Sequence, residues 1–120
     1  MKEKGGIVFY KTRDLKSLSK FYIDIIGCEL WLDQGGCQIF KFGNMLVGFC
    51  EREGEADIGA LVTFFYSDKR EVDAVYNKLK SRDVDKPKDN SDYRIYHFYA
   101  KDPDGRAIEF QYFWDEMKDF

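Results

Sequence analysis

Asp14-Leu15-Lys16-Ser17-Leu18-Ser19-Lys20-Phe21-Tyr22-Ile23-Asp24-Ile25-Ile26-Gly27 is the stretch that decides the fold. Leu15, Leu18, Phe21, Tyr22, Ile25 and Ile26 recur at helical spacing, Asp14 suits an N-cap and Gly27 a stop, so a helix is predicted over 14–26. Before it, Gly-Ile-Val-Phe-Tyr-Lys at 6–11 is β-branched and aromatic and reads as a strand. After it come three strand candidates, 29–33, 37–42 and 45–51, separated by Gln34-Gly35-Gly36 and Gly43-Asn44, pairs that suit tight turns. The order is βαβββ.

Beyond a charged, unpatterned connector at 51–59 the same order returns. A strand is predicted over 60–66. Asp68 then opens a helix whose apolar face is Val72, Val75, Tyr76 and Leu79. Strands follow at 84–86, 93–101 and 106–113, the last two joined by the turn Asp102-Pro103-Asp104-Gly105. The halves also agree by residue: counted from Asp14 and Asp68, Leu18 matches Val72, Phe21 matches Val75, Tyr22 matches Tyr76, and Ile25 matches Leu79. The expected fold is α+β, with tandem βαβββ modules at 6–51 and 59–113 in a single domain, 1–120, and a tail at 114–120.

Composition narrows the function classes. Hydrophobic residues at 44% and charged residues at 34% fit a globular chain, and no tract is polar enough for disorder. No apolar run approaches the roughly 20 residues that span a bilayer. The start, Met1 to Gly6, lacks the apolar stretch of a secretory signal, so the expected location is the cytoplasm and no membrane partner is expected. A net charge of −3, with Lys and Arg scattered among acids, argues against nucleic acid. Cys28, Cys37 and Cys50 lack metal or redox spacing and read as reduced, mostly buried thiols. Aromatic residues reach 18%, more rings than so small a core easily hides, so some are expected to line a ligand cavity or subunit interface.

Asp14-Leu15, Phe21-Tyr22 and Ile26-Gly27, together with Asp102-Pro103-Asp104-Gly105-Arg106-Ala107-Ile108-Glu109-Phe110, resemble the vicinal-oxygen-chelate superfamily. That superfamily includes glyoxalase I, extradiol dioxygenases, fosfomycin-resistance enzymes and bleomycin-resistance proteins. The resemblance covers about residues 6–113 and implies paired βαβββ modules that curve into a cup. It also implies that Glu109, four residues after Gly105, faces that cup and serves as a metal ligand in metal-dependent members.

The other ligand positions the resemblance implies are apolar. Seven residues before Asp14 and Asp68 stand Ile7 and Leu61, and four after Gly43 stands Val47. A two-residue shift substitutes Phe9, Thr63 or Phe49 and restores nothing. Metal chemistry needs about three or four hard donors around one ion, so no metal and no cofactor are expected. The resemblance is then to the metal-free, ligand-sequestering branch, typified by bleomycin-resistance proteins with a dimeric, acidic, aromatic-lined cleft.

His97 and Tyr99 occupy strand positions that face the ligand in fosfomycin-resistance relatives, and a neutral His can exchange a proton near pH 7. A lone histidine is, equally, an ordinary packing residue. Phe9, Phe49, Trp31, Phe40, Phe65, Tyr93, Tyr99 and Tyr112 are candidates for a stacking surface, with core packing the plain alternative for each. The expected function is metal-independent binding of an aromatic or amphipathic small molecule by a homodimer. The expected ligand-facing set is Glu109, His97, Tyr99, Phe9, Phe49, Leu61, Val47, Ile7 and Tyr93. The alternative is a glyoxalase-like lyase or isomerase, or a related transferase or dioxygenase, with a non-standard ligand set built on His97 and Glu109.

Overall fold

A computed structural model describes residues 2–119 of the chain. The chain divides between Ile58 and Gly59 into two compact units, each holding one four-stranded sheet.

In the first unit β1 (Val8–Thr12), β2 (Glu29–Asp33), β3 (Cys37–Phe42) and β4 (Met45–Glu51) are arranged in the order β1-β4-β3-β2. The β1–β4 pair is parallel, which requires the chain to cross over, and the crossover contains α1 (Leu15–Lys20). Asp14 caps α1, its Oδ1 accepting the Ser17 backbone N–H at 3.2 Å and its Oδ2 the Ser17 hydroxyl at 2.7 Å. The helix widens into a π-helical segment over Phe21–Ile26 and stops at Gly27, whose φ of 94° disfavours a side chain. Leu18, Phe21, Tyr22 and Ile26 pack on one face of the sheet, where the Tyr22 and Phe49 ring centroids are 4.8 Å apart.

The second unit repeats the design. β5 (Leu61–Phe65), β6 (Lys88–Asn90), β7 (Ile95–Lys101) and β8 (Ala107–Phe113) are arranged in the order β5-β8-β7-β6. The helix α2 (Lys69–Leu79) covers one sheet face with Val72, Val75 and Leu79. Phe64, Phe98 and Phe110 lie beneath it, and each buried ring stabilises by roughly 1.5–3 kcal/mol. The β7–β8 turn is tied by charge. Asp102 Oδ1 accepts the backbone N–H groups of Asp104 and Arg106, and Oδ2 meets the fully buried Arg106 guanidinium at 2.5 Å.

Three expectations are corrected. The second strand of the second unit is at Lys88–Asn90 rather than 84–86, because Asn90 Oδ1 accepts the N–H groups of Asp92 and Tyr93 and so sets the turn into β7. Cys37 and Cys50 are not separate thiols: they face each other in the β3–β4 register and form a disulfide. Cys28 alone is free, and burial pushes its thiol up to about 12, which keeps it protonated and inert.

The third correction concerns register. The β3–β4 hairpin turns on Gly43 and Asn44 alone, since Phe42 pairs with Met45, whereas Lys101 pairs with Ala107 across a longer turn. Counting from the glycines therefore slips by one. The counterpart of Glu109 is Gly48, and Val47 points to the α1 side.

Candidate functional site

Alternation along the strands sends Phe64, Phe98 and Phe110 toward α2 and sends Thr63, His97, Tyr99 and Glu109 to the opposite face. Glu109 on β8 is flanked by Thr63 on β5 and by Tyr99 on β7. Beside that row His97 pairs with Gln111.

These side chains converge on one carboxylate. Thr63 Oγ1 donates to Glu109 Oε1 at 2.8 Å, and His97 Nδ1 lies 2.6 Å from Oε2. The Tyr99 hydroxyl pKa is raised, first by desolvation and then by its nearness to the Glu109 carboxylate. Glu109 and His97 are only 7% and 5% exposed, so an unpartnered carboxylate here would be costly, and Thr63 and His97 supply what water would otherwise provide. An ionised carboxylate only accepts. To such a carboxylate it is His97 Nδ1 that donates.

A cleft of about 560 Å³ opens beside this cluster. His97, Tyr99 and Ala107 line it from the sheet, and Leu79 and Val84 from the helix end and the loop after it. Its location follows from the shortness of β6, which pairs with Ile95–His97 and leaves the β7 edge beyond His97 uncovered by a strand. A second cavity of about 540 Å³ lies under the tail, where Trp114 and Met117 face Phe65 and Tyr66. The tail is pinned there by the Arg94–Asp115 ion pair at 2.7 Å and by the Trp114 Nε1 bond to Asp89.

Of the residues singled out in the sequence, Glu109, His97 and Tyr99 are brought together. Leu61 shares their sheet face and is exposed. Ile7 precedes β1, Phe9 lies on the first sheet's face away from α1, and both are exposed. Val47 and Phe49 lie in the core beneath α1, since strand alternation puts them on the helix side. Tyr93 stands in the β6–β7 turn, 77% exposed. Sequence reading missed Thr63 as a partner of Glu109, although it stands two residues after Leu61 and so shares its face.

The donor set does not fit a resident metal. Among the described residues no group of three or more His, Cys, Asp or Glu side chains is placed to hold an ion. Leu61 and Ile7 offer no donor, and Glu109 and His97 are engaged with each other.

The doubled βαβββ arrangement has close structural counterparts. A glyoxalase/bleomycin resistance protein/dioxygenase family enzyme from Burkholderia phytofirmans aligns at a TM-score of 0.75 and 19% identity, over 88% of this chain and 95% of its own. Lactoylglutathione lyase from Agrobacterium tumefaciens aligns at 0.70 and 23% identity, over 88% and 90%. An integron cassette protein from the mobile metagenome of a Halifax Harbour sewage outfall aligns at 0.74 and 23%, over 92% and 98%. No family model and no curated protein matches the sequence. The chain has the glyoxalase/bleomycin-resistance fold, as the D-P-D-G motif and the repeat led us to expect. No helix among the described residues is long and apolar enough to cross a membrane.

Proposed function

We propose that the second unit is a metal-independent binding site for a small aromatic or amphipathic molecule, held in the cleft beside His97 and Tyr99. The observation that carries this reading is the engagement of Glu109 by Thr63 and His97. Protein donors hold the carboxylate that the resemblance would assign to a metal. Tyr99, half exposed with its ring edge-on to His97 at 5.1 Å, supplies a flat apolar wall.

The test is a small-molecule screen by thermal shift in excess EDTA, repeated with Tyr99→Ala. Stabilising hits that survive EDTA and vanish in Y99A support the reading. Hits that need added metal, or that ignore Tyr99, refute it.

A second reading keeps the same residues and adds proton transfer. Glu109 holds His97, a residue of the cleft lining, by its Nδ1, the kind of pairing that orients a general base. Turnover of a carbon-acid substrate lost in H97Q would favour it over simple sequestration.

The reading includes a homodimer, because Phe9, Leu61, Phe65 and Tyr99 are exposed apolar surface that a second copy would cover. Sedimentation at twice the chain mass supports that element, and a monomer removes it. It also includes the cytoplasm, for which the Cys37–Cys50 pair is the check: rapid thiol trapping should then find it open in cells.

A further inference from the structure

The cleft beside His97 differs in charge from the chain that carries it. The whole protein is at −3, yet Arg82, Lys86, Lys88 and Lys101 line the cleft against two carboxylates, Asp83 and Asp85. The side chains of Lys86, Lys88 and Lys101 have no hydrogen-bond or ion-pair partner among the described residues. Sheet register fixes two of them. Lys88 on β6 stands opposite His97, and Lys101 is two residues beyond Tyr99 on the same strand face. Register therefore puts both lysines on the sheet face of His97 and Tyr99, away from α2. Tyr99, Ala107, Val84 and Leu79 give the rest of the lining an apolar character.

A site built this way rejects a cation and leaves a neutral ligand beside unneutralised lysines. An anionic oxygen group set near Lys88 and Lys101 neutralises them, while an apolar body lies against Tyr99 and Ala107. Resting on the reading of this cleft as a small-molecule site, we infer that its ligand is an organic acid: an aromatic or aliphatic body bearing a carboxylate or a related anionic group. This departs from the acidic cleft expected from the bleomycin-resistance resemblance.

The test uses 8-anilinonaphthalene-1-sulfonate, an aromatic anion that fluoresces when bound, on the full chain in EDTA. Phenylacetate, phenyl phosphate and neutral phenylacetamide compete for it. The expected result is displacement by an acid with the amide at least about tenfold weaker, and a loss of about tenfold in probe affinity in K88Q/K101Q. Which acid competes better separates carboxylate from phosphate ligands. The control variant K20Q/K41Q removes two cations from the first unit and should leave the affinity unchanged. All four lysines are exposed, so both variants should fold, as unchanged melting temperatures would show.

Equal competition by amide and acid overturns the inference, as does an unchanged affinity in K88Q/K101Q or an equal loss in K20Q/K41Q. If the amide competes as well as the acids and Y99A abolishes binding, the small-molecule site stands and its anionic selectivity falls. If neither acids nor amide displaces the probe and Y99A leaves it bound, both fall.

Discussion

The two units share a topology and differ in the sheet face turned away from the helix. Where the second sheet carries Thr63, Glu109, Tyr99 and His97, register places Phe9, Gly48, Ile39 and Cys37 in the first. Gly48 has no side chain because Phe9 is in the way: a Cβ built there would lie 2.4 Å from the Phe9 ring. Cys37 and Cys50 take the positions of His97 and Gln111 and close them with a covalent bond. One backbone design thus carries a self-packed face in the first unit and a polar cluster in the second, so chemistry resides in the side chains and not in the fold.

The same contrast runs through the two hairpins, each held by one strong device. In the second unit it is the buried Arg106–Asp102 pair, and removing one partner strands a charge. R106M is expected to cost about 3–5 kcal/mol in chemical denaturation. A loss under about 1 kcal/mol would show that the hairpin does not depend on it.

In the first unit the device is the disulfide, which links positions 13 apart. Reduction is expected to cost about 3 kcal/mol by loop entropy, with titratable thiols in denaturant rising from one to three. Three thiols before reduction would remove this half of the comparison.

Smallest is the effect of G48A, about 1 kcal/mol, because the half-exposed Phe9 ring can swing aside. In an F9A background the cost should disappear. Persistence there would mean that something other than Phe9 excludes a side chain at 48.

Much of this was legible in the sequence. The helical period from Asp14 and Asp68, the glycine-marked turns and the D-P-D-G motif located the modules, because local chemistry governs caps and turns. Glu109 was singled out by the same motif, and His97 and Tyr99 by the resemblance to fosfomycin-resistance relatives; the structure brings the three together on one sheet face. What stayed hidden depends on pairing between strands. The Cys37–Cys50 contact follows once Phe42 is opposite Met45, since antiparallel partners keep a constant sum of residue numbers. Without knowing that the turn holds two residues, neither the disulfide nor the Gly48 register can be read. Lys88 gives no signal in the sequence because its strand is short, polar and defined by its partner rather than by its own pattern.

The central claim is that protein donors, and not a metal ion, hold Glu109. Calorimetric titration of the full chain with Zn²⁺, Ni²⁺ and Mn²⁺ tests it most directly. The expected result is no stoichiometric binding, with Glu109→Gln indistinguishable from the unaltered chain. One ion per chain at a Kd of about 1 μM, lost in Glu109→Gln, would contradict it.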